Sequence, residues 1–337
     1  MNEHVALKTE HVVRLSSLMN YLITGGYGFI GSNYINHLAR LGKASIVNID
    51  CLNYCADISN VVPFENHVFI HKRLQDFSTK ELVDILETFK ITHVVHFAAQ
   101  SHVDTSFVDT GLFVQDNILA THALLEACVL YNALEKFIYI STDEVYGDTT
   151  LDKDDTCKTE KSAFYPTNPY AATKAAAEML AKSYYYSFKL PVIITRSNNV
   201  YGENQYHEKL VPKFIKAILN GERCTIHGDG QYKRTWVHAC DFALAIDCVI
   251  EKGDIGEVYN IGTHDEFSVL EIAQMILECT GNIGTEHLYV KDRVFNDKRY
   301  HISFDKLERL GWKQTIPFKQ GLQQLVDVMG TRHLKKK

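Results

Sequence analysis

The 337-residue sequence predicts an α/β protein: a doubly wound parallel sheet followed by a smaller α/β lobe. Three observations carry that expectation. From residue 20 to residue 195, short runs rich in apolar, β-branched and aromatic residues alternate with longer helical patterns. The first such run passes through a glycine-rich turn straight into a helical stretch. Beyond Arg196 the alternation fragments into short pieces with turns at Gly202, Gly221, Gly228 and Gly262. The length itself exceeds what one core usually supports, which also favours two lobes.

Composition narrows the class. The chain is 46% hydrophobic and 23% charged, ordinary for a globular protein. A net charge of −6 argues against general attraction to nucleic acid or anionic lipid. No apolar run reaches the ~18 residues of a membrane span. The N-terminus lacks a basic segment followed by an apolar core, so no secretory signal is expected. Eight scattered cysteines without zinc-site spacing read as free thiols of a cytoplasmic protein with no metal.

In chain order, residues 1–18 read as a loosely attached extension ahead of Met19. A strand at 20–24 enters Gly25-Gly26-Tyr27-Gly28-Phe29-Ile30-Gly31, and a helix spans 32–41. Strand, glycine turn and helix in that order are the context a dinucleotide fingerprint requires. Gly25 permits the tight turn, Gly28 lets backbone approach a pyrophosphate, and Gly31 lets the helix lie close on the strand. The helix N-terminus then turns its N–H groups toward the phosphates. A second strand, 45–49, ends in Asp50, an acid placed to take ribose hydroxyls and to repel a 2′-phosphate. Residues 19–196 therefore read as a Rossmann-like domain for NAD rather than NADP.

The alternation continues with a strand at 68–70, a helix at 79–89 and a strand at 93–99, whose small residues suit passage beside a cofactor. A long helix is expected over 112–131 and a core strand over 136–140, followed by Ser141-Thr142-Asp143-Glu144. A polar loop, 148–168, leads to Pro169, a helix over 170–188 and a strand over 190–195. Residues 197–330 read mainly as a substrate lobe with some segments returning to the first domain, and 331–337 as a basic tail.

Two stretches carry chemistry. Adjacent carboxylates after a hydroxyl, at the end of a core strand, are expensive to bury without a purpose. The carboxyl end of a strand is also where ligands sit in an open α/β sheet. Tyr170 and Lys174, four residues apart, share one helical face. A free tyrosine titrates near about 10. A cation one turn away and the positive charge of NAD⁺ favour the phenolate. Such a phenolate can take a hydroxyl proton during an alcohol oxidation. That oxidation needs only Tyr170 and a hydroxyl donor, Thr142. Two further carboxyls imply further proton transfers, one as carboxylate and one as acid. The bland readings are an exposed helix face for the Tyr–Lys pair and a helix cap for the acids.

Taken together, Thr142-Asp143-Glu144, Tyr170 with Lys174, the segment from His96 to Asp104, and Tyr206-His207-Glu208-Lys209-Leu210 resemble the nucleoside-diphosphate-glucose 4,6-dehydratases. These belong to the extended branch of the short-chain dehydrogenase/reductase superfamily, and the resemblance covers about residues 20–325. Epimerases and decarboxylases of the superfamily lack the Asp-Glu pair. They stand as the alternative reading, with a non-catalytic NAD-binding protein as another. The resemblance implies Tyr170 as oxidation base with Lys174 in support, and Thr142 on the C4 oxygen. It implies Asp143 as the acid for C6 water loss and Glu144 as the acceptor of the C5 proton. The expected reaction is C4 oxidation, C5/C6 elimination and hydride return to C6. The product is a 4-keto-6-deoxy sugar for rhamnose or another deoxysugar, with NAD recycled.

The same resemblance assigns cofactor contacts to Gly25, Gly28, Phe29, Ile30, Gly31, Asp50, Asn53, Arg73, Leu74, Phe97, Ala98, Ala99, Tyr170, Lys174 and Val200. It assigns substrate contacts to Ser101, Thr142, Asn199, Lys209, Leu210, Thr225, His227, Arg234, Arg293 and Tyr300, with Arg234 on the pyrophosphate. The wording of residues 198–205 and 295–297 is similar to the UDP-glucose dehydratase part of plant rhamnose synthases. That favours UDP-glucose over dTDP-glucose. One departure stands out: Lys72-Arg73-Leu74 occupies the place of the family's usual Gly-Asp-Ile. Arg73 cannot accept a hydrogen bond from the adenine amino group, so stacking or backbone contacts must replace it. The resemblance also implies a homodimer, with helices 112–131 and 170–188 pairing into a four-helix bundle.

Overall fold

In the computed structural model, which describes residues 19–150, 157–282, 286–292 and 297–334, seven strands form one parallel sheet. They are β1 (Met19–Thr24), β2 (Ala44–Asp50), β3 (His67–His71), β4 (His93–His96), β5 (Lys136–Thr142), β6 (Val192–Ser197) and β10 (Val258–Ile261). Their order is β10-β6-β5-β4-β1-β2-β3, and every pairing is parallel. The chain leaves β1 toward β2 on one side and resumes at β4 on the other. The carboxyl ends of β1 and β4 therefore flank the crevice where such sheets bind ligands.

Helices cover both faces, which is why the inner strands read as continuous apolar runs. On one face lie α1 (Phe29–Leu41) and α6 (Ala239–Lys252), packing Tyr34, Ile35, Leu38, Phe242 and Ile246 onto the sheet. On the other lie α2 (Thr79–Thr88), α3 (Ala120–Tyr131) and α4 (Pro169–Phe188), contributing Leu82, Leu86, Leu124, Leu125, Ala177 and Ala181. The close seat of α1 on β1 depends on glycine: a Cβ on Gly31 would lie 2.3 Å from the Gly25 carbonyl oxygen.

A third apolar cluster gathers α5 (Leu210–Leu219), α7 (Val269–Thr280) and α8 (Phe318–Leu334) around Phe214, Ile226, Trp236, Ile276 and Leu322. Two small sheets border it. One joins β7 (Asn199–Tyr201), β9 (Lys233–His238) and β11 (Glu266–Ser268); the other joins β8 (Thr225–His227) and β12 (Leu288–Val290).

Three sequence readings change. The helix expected over 112–131 is interrupted: Thr110–Phe113 is α-helical, Val114–Leu119 forms a π turn, and α3 follows. The buried Asn117 explains the wider turn. Its amide pairs with both backbone groups of Gln100, at 2.7 and 3.1 Å, and donates to Thr173 Oγ1 at 3.0 Å. The strand expected over 93–99 stops at His96, because residues 97–100 leave the sheet to line the crevice. The basic tail also shrinks. Residues 331–334 close α8, where Arg332 pairs with Glu203, while 335–337 and the extension 1–18 lie outside the described residues.

Candidate active site

The end of β5 builds the centre of the site. Thr142 caps the short helical turn Asp143–Tyr146: its Oγ1 accepts from Glu144 N at 3.3 Å and donates to Asp143 Oδ1 at 3.1 Å. Asp143 is only 3% exposed, and its Oδ2 accepts from Asn198 Nδ2 at 2.6 Å. Burial, then the neighbouring Glu144, push its carboxyl up to about 7 against the pull of Asn198 and Thr142. Glu144 Oε2 accepts from Asn168 Nδ2 at 2.9 Å and stands 3.5 Å from the Tyr300 hydroxyl. Burial raises Glu144 too, with Asn168 opposing.

Asn168 has a second task. It is the N-cap of α4, accepting from Ala171 N at 2.8 Å, and Pro169 fills the first helical position. Tyr170 thereby falls in the first turn of α4, buried and lining the same cavity as Thr142. Lys174 follows one turn on, donating to the Ile140 carbonyl at 2.7 Å with its ammonium 4.5 Å from the centre of the Tyr139 ring.

Both groups of the Tyr–Lys pair are buried. Burial, followed by Glu144, raises the phenol well above its usual range. The same burial brings Lys174 down to about 7, against the field of Glu178.

A single cavity of about 520 Å³ runs from the glycine turn past these groups into the second lobe. Every residue assigned above to the cofactor lines it, from Gly25 and Phe29–Gly31 through Asp50, Asn53, Arg73, Leu74 and Phe97–Ala99 to Tyr170, Lys174 and Val200. The cradle fits a dinucleotide. Gly28 is the N-cap of α1 and makes no side-chain cap, so the first-turn N–H groups of the helix are open to a pyrophosphate. A Cβ on Gly25, whose φ is +69°, would lie 2.8 Å from the Ala98 backbone. Asp50 is aimed by backbone donors, Tyr27 N at 2.9 Å and Leu52 N at 2.8 Å. Arg73 is turned to Asp116, with Nη1 2.9 and 3.2 Å from the two carboxylate oxygens, and Gln75 and Gln100 donate to the same carboxylate.

Of the residues assigned above to a substrate, Ser101, Asn199, Lys209, Leu210, Thr225, His227, Arg234 and Tyr300 line the same cavity. Arg234 is steered by the carbonyls of Lys233 and Asp297, at 2.8 and 2.9 Å, and lies 4.9 Å over the Tyr300 ring. Lys209 donates to the Ser101 carbonyl at 3.0 Å. The Tyr300 hydroxyl donates to Asp297, which also accepts from Thr167 Oγ1 at 2.9 Å. Arg293 lies outside the described residues. Three further residues hold the acids and Tyr300: Asn168, Asn198 and Asp297. Only Asn168 left a signal in the sequence, as a capping residue directly before proline.

Known proteins resemble this chain over most of its length. A family model described as GDP-mannose 4,6 dehydratase matches residues 22–325. The dTDP-D-glucose 4,6-dehydratase of Dictyostelium discoideum is 42% identical over 91% of this chain and 80% of its own length. A trifunctional UDP-glucose 4,6-dehydratase/UDP-4-keto-6-deoxy-D-glucose 3,5-epimerase/UDP-4-keto-L-rhamnose-reductase of Arabidopsis thaliana is 43% identical over 91% of this chain. The match spans 46% of that plant protein, about half its length. The crystal structure of dTDP-glucose 4,6-dehydratase from Streptomyces venezuelae, with NAD and TYD bound, superposes with a TM-score of 0.87 at 33% identity. That superposition covers 94% of this chain and 98% of that one. With the glycine cradle, the Tyr–Lys helix and the acid pair on one crevice, and a match across nearly the whole length, the chain belongs to the GDP-mannose 4,6-dehydratase family.

Proposed function

We propose that the chain is a nucleotide-sugar 4,6-dehydratase with bound NAD, acting on UDP-glucose in preference to dTDP-glucose. The observation that supports this most is the acid pair. Asp143 and Glu144 share the cavity with Tyr170, and their environments differ. An alcohol oxidation alone has no use for them.

In this reading Thr142 holds the C4 oxygen and Tyr170 Oη takes the C4 hydroxyl proton. The chemistry a bound nicotinamide supplies is the acceptance and return of one hydride. The C4 ketone makes the C5 proton acidic, and the Glu144 carboxylate removes it. Asp143, lifted to about 7, is the group able to be neutral at working pH and to protonate the departing C6 hydroxyl. Glu144 then returns its proton to C5. Lys174, fixed by Ile140 one helical turn from the phenol, supports the base. Arg234, with its fork steered by two carbonyls, is placed to take the pyrophosphate.

Identity does not separate the two nucleotides, since relatives named for each stand at 42% and 43%. The preference for UDP-glucose rests on the wording of residues 198–205 and 295–297. No helix among the described residues is long and apolar enough to cross a membrane, and we place the enzyme in the cytoplasm. A homodimer is the proposed assembly. Exposed Leu130 on α3 and Met179, Tyr186 and Phe188 on α4 offer apolar surface for pairing these helices.

The test supplies UDP-glucose and dTDP-glucose side by side, without added NAD. The expected result is a 4-keto product one water lighter, formed faster from UDP-glucose. Formation of a galactose or a pentose would overturn the dehydratase reading.

A further inference from the structure

We propose that Arg73, clamped by Asp116, is the platform on which the cofactor's adenine stacks, and that the site holds this base without reading its amino group. The inference rests on the NAD cradle described above and not on the choice of sugar.

The sheet sets the place. β1, β2 and β3 stand side by side in that order, and their carboxyl ends carry successive parts of the cradle. The glycine turn after β1 faces a pyrophosphate, Asp50 at the end of β2 suits a ribose, and Arg73 comes just after β3. The Lys72 N–H donates to the Asp50 carbonyl at 3.2 Å, so the chain enters Arg73 from beside the ribose acid. A base joined to that ribose meets the stretch of cavity wall made by Ile49, Arg73, Leu74, Asp116 and Ala120.

The clamp leaves Asp116 no accepting position to spare. Arg73 Nη1 donates to Oδ1 at 2.9 Å and to Oδ2 at 3.2 Å. Gln75 Nε2 adds a bond to Oδ1 at 2.6 Å, and Gln100 Nε2 one to Oδ2 at 2.7 Å. A carboxylate offers about four accepting positions, and these bonds fill them. Arg73 has donors only. Neither member of the pair is left to receive an exocyclic amine. The π turn brings the acid to this spot. Asn117 fastens that turn to the backbone of Gln100, and the preceding Asp116 meets Arg73 and Gln75 beyond the end of β3. A π turn inside a helix commonly marks a functional site.

What the clamp leaves open is the flat face of the guanidinium. Its N–H bonds lie in the plane of the group, so Asp116 grips an edge and the faces stay free. The Arg73 side chain is 40% exposed although its partner is only 12% exposed. A guanidinium laid on an aromatic ring is attracted to it, and its weak hydration makes the contact cheap. Fixing the side chain beforehand reduces the ordering that binding costs. The carboxylate also balances the arginine's charge. Arg73 is therefore no free cation for a 2′-phosphate, and Asp50 keeps its preference for NAD.

The test measures displacement of radiolabelled NAD from the holoenzyme. The competitors are NAD, the analogue with plain purine in place of adenine, ADP-ribose and nicotinamide mononucleotide. The purine analogue lacks only the amino group. On wild type it should bind within about fivefold of NAD, whereas a carboxylate receiving that amine would discriminate by about tenfold or more. Arg73→Ala should weaken NAD, the purine analogue and ADP-ribose by one common factor of about threefold to thirtyfold. Nicotinamide mononucleotide, which carries no adenine, should bind the variant as it binds wild type. Asp116→Asn keeps the shape of the clamp but loosens it, and should weaken the same three ligands by a smaller factor. If alanine lowers the unfolding midpoint, Arg73→Gln, which can still donate to Asp116, gives the same comparison. The proposal is overturned if wild type rejects the purine analogue by about tenfold or more. It is overturned equally if Arg73→Ala binds NAD as wild type does, or if nicotinamide mononucleotide weakens as far as NAD. Failure of the cofactor reading would look different, because wild type would then hold no NAD to displace. Failure of the dehydratase reading would leave every one of these binding ratios in place.

Discussion

Replacing Asp143 by asparagine is expected to lower turnover by roughly 10²–10⁴-fold, the usual worth of a positioned general acid. The substitution keeps the shape of the side chain and leaves Thr142 and Glu144 in place. It removes only the proton that C6 needs to leave as water. Wild type should lose activity as pH rises past about 7, because the carboxyl that must be neutral ionises there. In Asp143→Asn that alkaline limb should vanish from the residual rate. Stability should move the other way. The folded carboxyl titrates above its ordinary value of 3.8, so the native state holds the extra proton between those two values. Stability contributed by that group is present below 3.8 and is lost as pH climbs to about 7. Above that, native Asp143 is a buried anion, and asparagine relieves it. Loss of activity with an equal or higher unfolding midpoint at alkaline pH, read by urea denaturation, is the expected pair of results.

Glu178→Ala is expected to destabilise the fold by about 3–5 kcal/mol, the cost of orphaning a buried charge. Glu178 and Arg196 tie α4 to β6 in the interior. Arg196 Nε lies 3.0 and 3.2 Å from the two carboxylate oxygens, and both side chains are almost fully buried. Arg196 also donates to the Tyr146 hydroxyl at 2.5 Å and lies 4.6 Å over Phe164. Without Glu178 the guanidinium keeps only neutral partners, these and the Glu160 carbonyl at 3.3 Å, and cannot shed its proton. Tyr146 belongs to the turn that carries Asp143 and Glu144, so the loss should reach the site as well as the core. The contrasting variant is Glu178→Met with Arg196→Met. It removes both charges at once and should recover most of the lost stability. Urea midpoints of the two variants check the argument, with no recovery in the double variant counting against it.

The sheet was legible because its strands are buried on both faces. Runs such as 20–24 and 136–140 have few other places to go, and the glycine turn between β1 and α1 leaves a pattern that sterics enforce. The interrupted helix at 114–119 was not legible. Its cause, Asn117, pairs with Gln100, and no local periodicity records a partner 17 residues away. The acid pair and the Tyr–Lys face could be read from spacing, but the groups that tune them could not. Asn198 reaches Asp143 across 55 residues, and Asp297 and Tyr300 arrive from the far end of the chain. Spacing likewise told which face Lys174 occupies but not how dry that face is. Burial lowers the Lys174 ammonium to about 7 and raises the Tyr170 phenol. Arg73 was legible as a departure, while its engagement with Asp116 required the fold to bring β3 beside the π turn.

The central claim is that a phenol and two carboxyl groups act on one hexose, with Glu144 handling the C5 proton. The direct measurement is turnover of nucleotide glucose in deuterium oxide, with the product analysed by NMR. The account predicts one deuterium at C5, delivered by Glu144 after exchange with solvent, and none at C6. A sugar product carrying no deuterium at C5 would contradict it.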